Sequence, residues 1–206
     1  FSDFLGRPPS AAAMELHLFG LESGSRTAAW LIQQLLESTE NQDSAGAVVR
    51  LYRAYFGRDA DFSGFDFWLK KVRSGTSTAA VSEAMTKSSE FVRTYGSLSN
   101  SDFVNTVYSN VLGRTSDADG QAFWVDQLDR KLISRGRLML RFSESTENRA
   151  KLAAKVNVIH SYAQMLGKIP PATLVAARAK ELEDCLLYTS DDADDPLCVT
   201  LGGSRI

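Results

Sequence analysis

Residues 51–68 read Leu-Tyr-Arg-Ala-Tyr-Phe-Gly-Arg-Asp-Ala-Asp-Phe-Ser-Gly-Phe-Asp-Phe-Trp. The chain returns to the same plan 56 positions later, where residues 107–124 read Val-Tyr-Ser-Asn-Val-Leu-Gly-Arg-Thr-Ser-Asp-Ala-Asp-Gly-Gln-Ala-Phe-Trp. Both stretches run from an apolar-periodic segment through a glycine and an arginine to an acid-bearing loop and a tryptophan. Val48, Leu51, Tyr52, Tyr55 and Phe56 fall at i, i+3, i+4, i+7 and i+8, the spacing of one face of an amphipathic helix. Gly57 is placed to stop that helix, because glycine takes the left-handed conformation without a Cβ penalty, and Arg58 suits the negative end of the helix dipole.

The hydrophobe-Gly-basic step occurs four times, as Leu5-Gly6-Arg7, Phe56-Gly57-Arg58, Leu112-Gly113-Arg114 and Leu166-Gly167-Lys168. Its spacings of 51, 56 and 54 residues lie in the range of helical repeat proteins. Around each step the pattern predicts further helices. Phe65, Trp68, Leu69 and Val72 form a second helix closed by Ser74-Gly75, and Thr76, Ser77 and Thr78 are N-cap candidates for a third carrying Val81, Ala84 and Met85. Ser88-Ser89-Glu90 caps a short fourth segment with Phe91 and Tyr95. The next copy keeps the order, with Val104, Val107, Tyr108 and Val111, then Trp124, Val125 and Leu128. Ser145-Thr146-Glu147 and Ser38-Thr39-Glu40 repeat the capping triplet. No segment alternates like a strand. The expected fold is all-α, built of tandem helical repeats of about 50–56 residues whose one-sided units stack to bury their apolar faces. The expected division is a partial repeat over 1–45, repeats over 46–100 and 101–150, a partial repeat over 151–183, and a tail over 184–206.

The pattern Leu-Tyr-x-x-hydrophobic-hydrophobic-Gly-Arg-x-x-Asp-x-x-Gly-x-x-x-Trp, followed by Gly and then Ser-x-Glu-Phe, resembles the bacterial helical repeat called domain of unknown function 4214. The resemblance is fullest over residues 46–150 and extends in part to about residue 176. More distantly, it is similar to the linker domains of the cyanobacterial phycobilisome. It implies an accessory module of large secreted or surface-layer bacterial proteins, sometimes beside calcium-binding repeats, and it implies no established activity.

Residues 184–206 follow no helical or strand period and resemble the translated read-through of a short-read sequencing adapter. They are expected to be a non-native or disordered tail. The tail carries five of the 25 acids, Asp184, Asp191, Asp192, Asp194 and Asp195, and only Arg205 among the bases. Residues 1–183 therefore hold 22 bases against 20 acids, a near balance that gives no electrostatic reason for a nucleic-acid partner. Cys185 and Cys198 are both in the tail, so the body offers neither a disulfide framework nor a cysteine metal site. No apolar run reaches the roughly 18–20 residues that span a bilayer. The chain begins at Phe1 and shows no signal segment.

The loops carry the candidate sites. Asp59, Asp61 and Ser63, followed by Gly64, match positions 1, 3, 5 and 6 of a calcium loop, but Lys70 stands where a bidentate glutamate belongs. The next copy offers Thr115, Asp117, Asp119, Gly120 and Asp126 in the same frame. The favoured reading is a turn whose Asp or Ser caps the next helix, with weak calcium binding as the alternative. Pro8-Pro9 and Pro170-Pro171 replace this loop in the outer copies, which favours a structural role over chemistry. Arg58 and Arg114 are expected to pair with the loop acids or with a carbonyl at the preceding helix end. His17 stands where the middle copies have Trp68 and Trp124, and His160 lies in the fourth copy's first helix; both read as structural or surface histidines. The two tryptophans read as anchors of the inter-helix core, with a platform for sugar rings as the sharper alternative. No serine has an adjacent histidine to activate it, so no catalytic residue is named and no enzyme is expected. The structural motif comprises Gly6, Gly57, Arg58, Trp68, Gly113, Arg114, Trp124 and Gly167. The function expected is a non-catalytic interaction or scaffolding module that binds protein, or else glycan. A calcium-responsive adhesion segment, an uncharacterised enzyme accessory domain and a phycobilisome-type linker are the alternatives, and no cofactor is expected, weak calcium binding being the alternative there too.

Overall fold

The computed structural model describes residues 1–188, with side chains to residue 184. Among them the regular elements are helical throughout. The second copy is α5 (Ala47–Phe56), α6 (Phe62–Arg73), α7 (Thr78–Met85) and α8 (Ser89–Tyr95). The third is α9 (Asn100–Val107), which widens into a π-helical turn at Tyr108–Leu112, then α10 (Ala118–Asp129), α11 (Arg135–Ser143) and the start of α12 (Thr146–Leu166). Before them lie α1 (Ser2–Leu5), α2 (Ala11–Glu22), α3 (Ala28–Glu37) and α4 (Thr39–Asn41), and α13 (Ala172–Tyr188) follows.

The starts and stops are those the repeat dictates. Gly6, Gly57, Gly113 and Gly167 all close helices with φ between 60° and 77°, the left-handed region in which a β-carbon is strained. Ser38, Ser77, Ser88 and Ser145 each accept a hydrogen bond from the backbone N–H three residues on, relieving a donor that the helix start leaves unpaired.

The copies are joined without linkers. α4 leads through a second π-helical turn, Gln42–Gly46, into α5, so the 45/46 boundary falls inside continuous helical backbone. The 150/151 boundary likewise falls inside α12, which fuses the third copy's last segment with the fourth copy's first helix. Only between copies two and three, at residues 96–99, does the chain leave the helix. α13 runs five residues into the stretch assigned to the tail; the expectation for residues 189–206, and that for both cysteines' side chains, lies outside the described residues.

Copies two, three and four share one core, centred on α5, α7, α11 and α12, with Leu51, Phe65, Val81, Phe103, Leu138 and Ile159 completely enclosed. Copy one forms its own small cluster of Phe4, Leu5, Leu35 and Leu36. The spacing rule holds for Val48, Leu51, Tyr52 and Tyr55, which are buried, whereas Phe56 is only half-buried and Ala84, read as inward-facing, is exposed. Two polar links cross the core between copies. Arg50 of α5 is 1% exposed and donates to both carboxylate oxygens of Glu144 at 2.8 and 2.7 Å, and to the Gln42 side-chain and backbone oxygens. The Tyr55 hydroxyl meets Ser82, whose own hydroxyl donates to the Gly136 carbonyl at 2.8 Å.

Candidate functional site

The repeated loop brings the same side chains to the same places in copies two and three. Asp61 and Asp117 are N-caps, accepting from the N–H of Gly64 at 2.8 Å and of Gly120 at 2.7 Å. The Ser63 hydroxyl also donates to Asp61, and these bonds, with the hydroxyl first, hold the Asp61 carboxyl below the ordinary aspartate range. In Asp117 the Gly120 amide has the same effect. Neither glycine tolerates a side chain without movement, because the Tyr52 and Tyr108 hydroxyls would lie no more than 2.5 Å from an added β-carbon.

The remaining candidate acids are distributed rather than gathered. Asp59 pairs with Arg53 and Asp126 with Arg130, while Asp119 lies exposed in the first turn of α10. Among the described residues, no three His, Cys, Asp or Glu side chains converge.

Arg58 and Arg114 do not pair with the loop acids. Each reaches the glutamate of the capping triplet at the end of its own copy, Arg58 to Glu90 at 3.3 and 3.0 Å and Arg114 to Glu147 at 3.0 and 3.2 Å. Arg7 does the same with Glu40, at 2.6 Å through both nitrogens. Glutamate wins over aspartate because its longer stem lets the carboxylate lie flat against the guanidinium fork, and because its place in a helix's first turn already favours negative charge. The pairing keeps the Arg58 and Arg114 pKa values raised and holds the Glu147 carboxyl below its usual range. Each guanidinium also lies over a tyrosine ring, Arg58 5.9 Å from Tyr52 and Arg114 5.2 Å from Tyr108. Separations of 33, 32 and 33 residues between arginine and glutamate are the signal from which these pairs could have been read.

The tryptophans are half-buried rather than fully enclosed. Phe65 and Leu69 take the centre of the α6 stripe and leave Trp68 at its edge, and Leu128 does so on α10 beside Trp124. Phe67 and Phe123, which sequence reading passed over, stand edge-on to these tryptophans at 4.9 Å in both copies and are 51% and 53% exposed. His17 is half-buried between Phe1 and Trp30. His160 is fully enclosed, edge-on to Phe4 at 5.5 Å, with both ring nitrogens lacking a partner. Burial first, and the nearby Arg73 charge second, push its pKa down to about 3.

A protein-family model described as "Domain of unknown function (DUF4214)" matches residues 47–94 and 81–152, together about half of the chain. The chain belongs to the DUF4214 family. The matched residues span the two copies that carry the complete loop, arginine–glutamate pair and tryptophan. Comparison with curated proteins and with solved structures gives no match. No described helix is long and apolar enough to cross a membrane.

Proposed function

We propose that this DUF4214 chain is a non-catalytic interaction or scaffolding module of a bacterial secreted or cell-surface protein, engaging a protein partner through helix faces that its packed repeats leave in water. The observation that carries the reading is the duplicated exposure of Phe67 and Phe123. The polar groups common to both copies spend their hydrogen bonds inside their own copy, as caps and arginine–glutamate pairs. Beyond their edge contacts with Trp68 and Trp124 the two phenylalanines stand in water at matching places, and aromatic side chains so exposed favour a surface that is covered on association. The secreted or surface setting is the one the sequence resemblance implies.

The test is site-specific photo-crosslinking in the producing bacterium, with the reactive side chain at position 67 or 123 and, as control, at the exposed Asp119. Discrete adducts from 67 and 123 that the control does not give are the expected result. Identical patterns from all three positions would sink the proposal.

A further inference from the structure

The third helices of copies one, two and three are α3, α7 and α11, capped by Thr27, Ser77 and Ser134. These caps stand 21, 20 and 21 residues after Gly6, Gly57 and Gly113, so the helices can be compared place by place. α7 and α11 pack against each other. The Ser82 hydroxyl, at the fifth place of α7, donates at 2.8 Å to the carbonyl of Gly136, at the second place of α11. Glu83, at the sixth place, accepts from the cap hydroxyl of Ser134. The contact encloses Ser82, Gly136 and Met139, the last at the fifth place of α11. α3 repeats half of this arrangement. It lies against α12, the first helix of copy four, as α11 lies against α5, the first helix of copy two. Its fifth place, Ile32, is only half-buried, and its first and second, Ala28 and Ala29, are exposed. The face that joins α7 to α11 is open to water on α3.

We infer that α3 pairs across a two-fold axis with α3 of a second copy of this chain, through the face by which α7 and α11 pair. Three observations select that occupant. The first is shape. Within the chain this face is covered by another third helix, and on α3 it carries both halves of such a contact. Ala28 and Ala29 let a second helix come close, Ile32 is the group that enters, and a two-fold contact needs both on one surface. The second is charge. α7 sets Glu83 against the start of a helix that carries Arg135 and Arg137, so that pair joins unlike partners. From Ala28 to Gln34 α3 has no charge, and it meets its own image without repulsion. Gln33, at the sixth place, can give or take a hydrogen bond at the partner copy's cap hydroxyl, where Glu83 can only accept. The third is the sequence of copy four. Counted from Gly167 as the caps are counted above, its fourth and fifth places fall within Asp191-Asp192-Ala193, which bring charge where α3, α7 and α11 have Leu31, Val81 and Leu138 at the fourth place. The α3 face is separate from Phe67 and Phe123, and the inference stands apart from the partner proposed for them.

The experiment is sedimentation equilibrium of the full chain from about 5 to 500 µM. One helix face offers less than the roughly 800 Å² per partner of a standard interface, so a monomer–dimer equilibrium with a dissociation constant of about 10–100 µM is expected. Ala29→Glu places an acid in an exposed first turn, where the helix dipole favours it. It should leave urea unfolding unchanged and raise the dissociation constant about tenfold or more. Ala80→Glu, at an exposed first-turn place of α7, is the matched control and should leave the association as it is. A photoreactive side chain at position 33, in a mixture of isotope-labelled and unlabelled chains, should give adducts between chains at residues 27–29. The inference is overturned by a monomer at every concentration, by association that Ala29→Glu leaves unchanged or that Ala80→Glu weakens equally, or by adducts between chains that fall elsewhere.

Discussion

Arg58 and Glu90 sit 32 residues apart, one just past the first helix of a copy and the other in the first turn of its last, and they meet through two near-parallel hydrogen bonds. The pair closes the copy on itself, and equivalent pairs close the copies on either side. Its recurrence invites a large energetic role, but both partners are open to solvent, where water screens the attraction and side-chain entropy opposes it. Glu90→Gln should therefore cost only about 0.2–1 kcal/mol in urea unfolding. A loss above roughly 2 kcal/mol would show that the pair holds the fold rather than orienting it.

The buried pair should behave differently. Glu144→Gln leaves the Arg50 guanidinium enclosed and without its counter-charge, and removing one partner of such a pair typically costs about 3–5 kcal/mol. The same urea experiment tests the ordering: Glu144→Gln must be several times more damaging than Glu90→Gln. Equal effects would mean that the Gln42 oxygens alone satisfy Arg50.

At Gly57 nothing surrounds the place a β-carbon would occupy, so Gly57→Ala isolates the backbone term. The left-handed conformation at φ 65° predicts a loss of about 1–2 kcal/mol, with Gly57→Asn milder because asparagine visits that region more readily. An alanine variant as stable as the parent would contradict the helix stop.

His160 makes stability depend on pH. Its folded pKa lies near 3, below the ordinary value of 6.5, so the unfolded chain takes up a proton between these limits while the native state does not. Stability is full above about pH 6.5 and falls as the pH drops toward 3. From pH 7.5 to pH 5 the loss from this group is about 2 kcal/mol. His160→Leu should remove that part of the pH dependence, and it should not destabilise at pH 7.5, because the imidazole nitrogens it deletes have no partners. Parallel unfolding curves at the two pH values, for parent and variant, give the comparison; an identical pH dependence in both would refute the assignment.

Much of the architecture is legible in the residues because it is local. The apolar spacing of Val48 to Tyr55, the glycine stops and the serine caps act within one or two turns, and the structure places all of them as the sequence implies. What resists reading is set by partners far along the chain. Nothing around Arg50 distinguishes it from a solvent-facing helix arginine, since Glu144 is 94 residues away. Trp68 shares a stripe with Phe65 and Leu69, and only the third dimension shows that they take the centre and leave it the edge. The cap at Ser145 announces a helix but carries no information on its length, so nothing at the 150/151 boundary shows that α12 continues through it for 21 residues.

α12 and the run from α4 through Gln42–Gly46 into α5 give the joints between copies a mechanical character. A loop between units acts as a swivel and goes slack under tension; an uninterrupted helix transmits torque and pull from one unit to the next through its own hydrogen-bonded turns. Rotation of copy three must drag the first helix of copy four with it, since both lie on one rod. At residues 96–99, where the backbone leaves the helix, the pull passes instead through the shared core and through Arg135, which donates to the Tyr95 and Leu98 carbonyls at 2.8 and 2.6 Å.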